Sequence, residues 1–210
     1  MRNTLHVIST GRQNKEELIE KIVSIHPYID YVHLREKNWR AIDYIEVIRT
    51  LEKYRVSKEK IIVNDRVDVA YVMDVYGVQL AYHSIEPAEV CGNFPELYIG
   101  CSVHSPQEAK EKEEQGANYV IFGHVFQTAS KQGLPPKGLD ELKQVVEQVN
   151  IPVIAIGGIT PENVESVLKT GAQGVAVLSG ILLAKDVVEA AKRYRHKLTI
   201  GKGERNGIND

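Results

Sequence analysis

The 210-residue chain is poor in several things at once: it has two cysteines, two methionines, one tryptophan and three phenylalanines. Cys91 and Cys101 form no C-x-x-C pair and no metal-type spacing. Cys101 ends an apolar run and reads as a small buried hydrophobe rather than a nucleophile. No apolar run approaches the roughly 18–20 residues that span a bilayer. Residues 1–9 lack the basic region and apolar core of a signal peptide, which leads us to expect a cytoplasmic protein. Neither sign of charge dominates: 26 Lys and Arg face 28 Asp and Glu, a formal net charge of −2. That balance gives no global field for nucleic acid or a membrane surface.

What is present is a strict alternation. Short β-rich runs lie at Leu5–Ile8, Tyr31–Leu34, Lys60–Asn64, Gly77–Leu80, Tyr98–Cys101, Tyr119–Phe122, Val153–Ile156 and Gly174–Leu178. Between and after them lie stretches with helical spacing: Glu16–Ile25, Ala41–Lys53, Val67–Val75, a weaker Pro87–Phe94, Pro106–Gln115, Leu139–Val149, Pro161–Lys169 and Leu182–Tyr194. Hydrophobic residues make up 43% and charged residues 26%, enough for one sizeable core. Eight such units favour a closed α/β barrel, a single-domain (β/α)8 TIM barrel over residues 1–200, rather than an open doubly wound sheet. The tail, residues 201–210, is rich in Gly, Asn and charge and is expected to be disordered.

Two of the eight units carry a further signal. The run Ile151–Ile156 ends in Gly157-Gly158, after which Thr160 and Pro161 stand in the cap and first-turn positions of a helix. The run Gly174–Leu178 ends in Ser179-Gly180. Glycines let a ligand approach the backbone and use its N–H groups for an anion. Tandem strand–glycine–helix units near the C-terminus suggest the phosphate site of the last two loops of a barrel. Tight turns alone are the plainer reading of either one.

In this fold, reactive groups belong at the C-terminal ends of strands. That rule selects Arg35, Glu36 and Lys37 after the second strand, and Asn64, Asp65, Arg66 and Asp68 after the third. It also selects Ser102 and His104 after the fifth, and His124 after the sixth. His124 is the sharpest candidate, since an imidazole titrates near working pH; a capping role is its alternative. His33, inside a strand, reads as an interior packing residue, and His104 as a local cap. Asp65 and Asp68 suit either Mg2+ or a helix N-cap, with the cap favoured. Arg35 and Lys37 suit an anionic substrate or a surface turn salt-bridged to Glu36. The loop Gln127–Gly138 is long for its place and reads as a rim lid; its Lys131 either closes over a phosphate or is solvated.

The motifs Tyr31–Lys37, Asn64–Asp68, Ser102–Ser105, Tyr119–Gly123, Ile151–Thr160 and Gly174–Ser179, taken in order, resemble those of thiamine-phosphate synthase, from about Leu5 to Tyr194. The resemblance implies a (β/α)8 barrel in thiamine biosynthesis. Two positions depart from the synthase pattern. Its fourth strand is followed by G-V-H-L-G-Q-x-D, whose Asp helps hold Mg2+–pyrophosphate. Here Gly77–Ser84 puts Ser84 at that place, and a hydroxyl cannot neutralise a divalent cation. The synthase F-G-P becomes Phe122-Gly123-His124.

Both departures are similar to the thiazole tautomerases of the same superfamily, the TenI group. That resemblance implies an isomerase without cofactor or metal, in which His124 moves a proton to aromatise a thiazole carboxylate phosphate. It also implies Arg35 on the carboxylate and Gly157, Gly158, Ser179 and Gly180 on the phosphate. Lys37, Asn64, Ser102 and Lys131 complete the expected binding set. The expected partners are this small molecule and a second copy of the chain, with no nucleic acid or membrane. A thiamine-phosphate synthase and a silent, regulatory thiazole-phosphate binder are the alternatives.

Overall fold

The computed structural model describes residues 3–131 and 133–200; the expectation for residues 201–210 lies outside them. Eight parallel strands close into a barrel in sequence order: β1 (Thr4–Ile8), β2 (Tyr31–Leu34), β3 (Ile61–Asn64), β4 (Gly77–Leu80), β5 (Tyr98–Val103), β6 (Tyr119–Gly123), β7 (Val153–Ile156) and β8 (Gly174–Val177). β8 closes on β1 through Thr4↔Gly174 to Val7↔Val177. The expected TIM barrel is therefore the fold.

The helices lie outside: α1 (Lys15–Ile25), α2 (Ala41–Lys53), α3 (Val67–Val72), α4 (Pro87–Asn93), α5 (Pro106–Glu114), α6 (Gly138–Gln148), α7 (Val164–Lys169), α8 (Ser179–Leu182) and α9 (Val187–Ile200). Local chemistry sets their starts. Asn14 caps α1 by accepting from Glu17 N–H at 2.8 Å. Pro87 and Pro106 open α4 and α5, where a missing N–H costs nothing. Three boundaries differ from expectation. α7 starts at Val164, because Pro161 leads a turn and Asn163 is the N-cap. The last expected helix is two, short α8 and long α9. Asp65 is not a helix cap: Arg66 holds that position, and Asp65 sits in left-handed backbone at φ 62°.

Strand pleating sorts side chains into two cores. Leu5, Val7, Val32, Leu34, Ile61, Val63, Val120, Phe122, Val153, Ala155, Val175 and Val177 pack outward under the helices. A smaller cluster of Ile8, Ile62, Tyr119, Ile121, Ile154 and Ala176 fills the barrel interior. Polar groups share that interior. His6 and His33 are 3% and 0% exposed, and their rings bond Nδ1 to Nε2 at 2.9 Å. Burial pushes Cys101 up to about 12, which leaves an inert thiol near neutral pH. Among the described residues, no helix is long and apolar enough to cross a membrane.

The buried histidines make stability depend on pH. Burial lowers His6 from the usual 6.5 to about 3 and also holds His33 well below 6.5. Both stay neutral in the folded chain while the unfolded chain takes up protons, so stability falls as pH drops through 6.5. The carboxylates with depressed values, Asp43, Asp68, Glu86, Glu113, Glu162 and Glu165, remain charged over that window. Urea unfolding should show a loss of about 2 kcal/mol per buried histidine between about pH 7 and about pH 5. Flat stability over that interval would show that these rings are charged in the native state.

Candidate active site

The C-terminal ends of the strands open into a cavity of about 690 Å³. Every barrel strand supplies its wall or the loop after it: Thr10 and Arg12, Arg35, Asn64, Gln79, Ser102 and His104, His124 and Lys131, Gly157 and Gly158, and Ser179 and Gly180. Ile8, Ile121 and Ala176 of the inner core form part of its floor. Of the ten residues expected at the site, nine line this cavity. Lys37 is exposed and does not line it.

The glycine turns are held from behind. Gly157 has φ 96°, and a Cβ there would lie 2.3 Å from His124 Cβ, so the backbone after β7 presses on the start of the β6 loop. Val125 N–H and Phe126 N–H donate to the carbonyls of Ile156 and Gly157 at 2.9 and 3.0 Å. Asn163 Nδ2 donates to Gly158 O at 2.9 Å, and its Oδ1 accepts from Thr160 N–H at 2.9 Å. The Tyr194 hydroxyl donates to Ile159 O at 2.8 Å, and a Cβ on Gly180 would lie 2.5 Å from the same oxygen. Tyr194 thus braces both expected phosphate loops.

His124 is 9% exposed, and its peptide bond to Gly123 is cis. Its Nε2 donates to Leu134 O at 3.3 Å, and its own carbonyl accepts from Lys137 N–H at 2.9 Å. The imidazole is therefore a tether of the long loop. That loop brings Gln127, Thr128 and Lys131 to the cavity, with a 3-10 turn at Ala129–Lys131.

Arg35 is fixed through its backbone, whose N–H donates to Ser9 Oγ at 2.7 Å. Glu36 is not its surface partner: it is 6% exposed and accepts from Gly11 N–H at 3.3 Å. That corrects the salt-bridged turn expected there. His104 is not the cap expected: Ser105 is the N-cap of α5, and the His104 backbone N–H donates to Glu108 Oε2 at 2.7 Å.

The implied Mg2+ donor set does not assemble. Asp65 Oδ2 lies 3.4 Å from His83 Nε2, outside the cavity lining. Ser84 Oγ accepts from Ala81 N–H at 2.8 Å. Asp68 is forked onto Arg66 at 2.8 and 2.5 Å. Among the described residues, no group of three or more His, Cys, Asp or Glu is placed to hold a metal. One carboxylate facing an imidazole and one occupied hydroxyl do not match a hard divalent cation.

Sequence reasoning missed several lining residues, among them Thr10, Arg12, Gln79 and Tyr194. The strand-end rule reaches Thr10 and Arg12 once it is applied to β1. Gln79 is hidden inside a strand, and Tyr194 comes from the far end of the chain through α9.

Gly157→Ala should destabilise the fold by about 1–3 kcal/mol through its left-handed backbone, and by more where His124 must give way. Gly92→Ala, in α4 with nothing within 4 Å of the added Cβ, should stabilise by about 0.5–1 kcal/mol. Thermal unfolding of the pair checks this. Equal effects would mean that the β7 turn is not held as described.

Residues 5–181 match the family model described as thiamine monophosphate synthase. Thiamine-phosphate synthase of Pyrococcus furiosus is 38% identical over 198 residues, covering 93% of this chain and 95% of that protein. That of Clostridium acetobutylicum is 34% identical over 194 residues, covering 90% and 91%. A solved structure, thiamine phosphate pyrophosphorylase from P. furiosus, superposes with a TM-score of 0.81 at 34% identity, over 95% of this chain and 97% of that one. These relatives are synthases, enzymes of the transferase class, and not tautomerases. The expectation of an isomerase that aromatises a thiazole is overturned, and the acid–base step expected of His124 falls with it. Ser84 and His124 are departures within a synthase barrel: the chain belongs to the thiamine monophosphate synthase family.

Proposed function

We propose that the chain acts as a thiamine-phosphate synthase, a transferase that joins a pyrimidine carrying a pyrophosphate to a thiazole carrying a phosphate. The observation that most supports this is the cavity. It gathers three cationic side chains, Arg12, Arg35 and Lys131, around one mouth with two glycine turns, above a floor with apolar and amide groups. Two anionic groups and two flat heterocycles need such a surface. The near full-length likeness to named synthases supports it independently.

In this reading the thiazole nitrogen attacks the methylene carbon that carries the pyrophosphate. The carbon–oxygen bond breaks, and pyrophosphate leaves with the electron pair. Arg12, Arg35 and Lys131 neutralise the departing charge, and backbone N–H groups of Gly157, Gly158, Ser179 and Gly180 hold the thiazole phosphate. Asn64 and Ser102 hold ring atoms through amide and hydroxyl. His124 keeps the lid in place. Lys37 is exposed, so its part is confined to the outer approach of an anion. No step is routed through Mg2+, because the donors at Asp65 and Ser84 do not fit it.

That misfit favours one second reading, a catalytically silent barrel that binds thiazole phosphate. The reading further includes a cytoplasmic homodimer. Exposed apolar side chains on α3 and after β4, Tyr71, Val72, Tyr82 and Ile85 at 51–88%, support the pairing.

Purified protein given pyrimidine pyrophosphate, thiazole phosphate and Mg2+ should release pyrophosphate and thiamine phosphate in equal amounts. Arg35→Ala and Lys131→Ala should each lower kcat/KM by about ten- to a hundredfold, the worth of a charged hydrogen bond. Thiazole phosphate binding without turnover would replace the synthase with the silent binder.

A further inference from the structure

Between the base of the barrel and the cavity lies a polar column whose lower two members, Tyr119 and Gln79, the proposed chemistry does not use. Tyr119 and Gln79 are each 2% exposed. The Tyr119 hydroxyl donates to Gln79 Oε1 at 2.8 Å. Gln79 Nε2 donates to Ser102 Oγ at 3.1 Å. The column is directional. Burial raises Tyr119 well above the ordinary phenol range, so it stays a donor. With Oε1 engaged, the Gln79 amide turns its nitrogen to Ser102. Ser102 Oγ then accepts one bond, and its own proton is left for a group in the cavity it lines.

Tyr119 does not line the cavity; it is set by its neighbours. Five rings close a circuit around the barrel: His6–Tyr31, Tyr31–Tyr76 and Tyr76–Tyr98 at 4.8 Å, Tyr98–Tyr119 at 5.5 Å, and Tyr119–His6 at 5.8 Å between centroids. Gly100 makes the space, since a Cβ there would lie 2.1 Å from Tyr119 Cζ. The phenol oxygen therefore has one position.

We propose that Tyr119 is a positioning residue: acting through Gln79, it fixes Ser102 as a hydrogen-bond donor to a ring nitrogen of the pyrimidine in the cavity. The inference rests on the synthase reading for the identity of that heterocycle. Around Ser102 the floor carries Ile8, Ile121 and Ala176, so one oriented hydroxyl counts for much in selecting a ligand that offers a lone pair there.

The test is calorimetric titration of pyrimidine pyrophosphate into wild type, Tyr119→Phe, Ser102→Ala and the double variant. Tyr119→Phe keeps its ring and should still fold, melting lower than wild type because Gln79 Oε1 loses its donor. Each single variant should weaken binding about three- to tenfold, and the double no more than the weaker single. Wild-type affinity in Tyr119→Phe, or losses that multiply in the double variant, overturn the inference while leaving the synthase reading intact. Failure of the wild type to bind pyrimidine pyrophosphate overturns both. Should Tyr119→Phe not fold, proton NMR of the wild type decides. A slowly exchanging Tyr119 hydroxyl proton with cross-relaxation to the Gln79 amide is expected, and its absence overturns the column.

Discussion

A closed parallel barrel leaves no polar atom in its interior a route to water, and the rest of this molecule follows from that constraint. Polar groups on inward-facing strand positions draw their partners from other inward-facing positions, and His33 Nδ1 and Asn64 Oδ1 are left without one. His6 meets His33 and Thr4, and Tyr119 meets Gln79, which meets Ser102. The base of the barrel is closed by rings, and the top is left to polar groups whose partners lie below them. The cavity floor is thus part of the barrel core, and its hydrogen-bond pattern is set before any ligand arrives.

The outer architecture was legible because it depends on periodicity. Apolar positions at every second residue in the strands, and at three and four in Leu142, Val145 and Val149, are imposed by burial against helices. The interior was not legible in the same way. His6 gave no signal in sequence because its partner, His33, is 27 residues away and meets it only when β1 pairs with β2. Gln79 and Tyr119 are separated by 40 residues for the same reason. The strands read as buried runs, and that reading concealed the polar residues within them.

At the site, the strand-end rule placed most of the candidates correctly, and where it failed the cause is local. Lys37 lies two residues beyond Arg35 and points to solvent, since Glu36 between them is drawn inward to the Gly11 amide. Asp65 took a left-handed backbone and a histidine partner where a helix cap was expected. His124, at a position that holds proline in the synthase pattern, looked like new chemistry. In the fold its ring ties down a loop that carries Lys131 to the mouth. A single titratable residue was a weaker guide to the family than likeness over nearly the whole chain.

The central claim is that this cavity receives two heterocycles and their phosphates. A crystal structure of the protein with thiazole phosphate and pyrophosphate tests it most directly. The account predicts the phosphate against the amides of Gly157, Gly158, Ser179 and Gly180. It places the pyrophosphate among Arg12, Arg35 and Lys131. Ligands bound outside this mouth, or a phosphate that avoids the β7 and β8 turns, would contradict it.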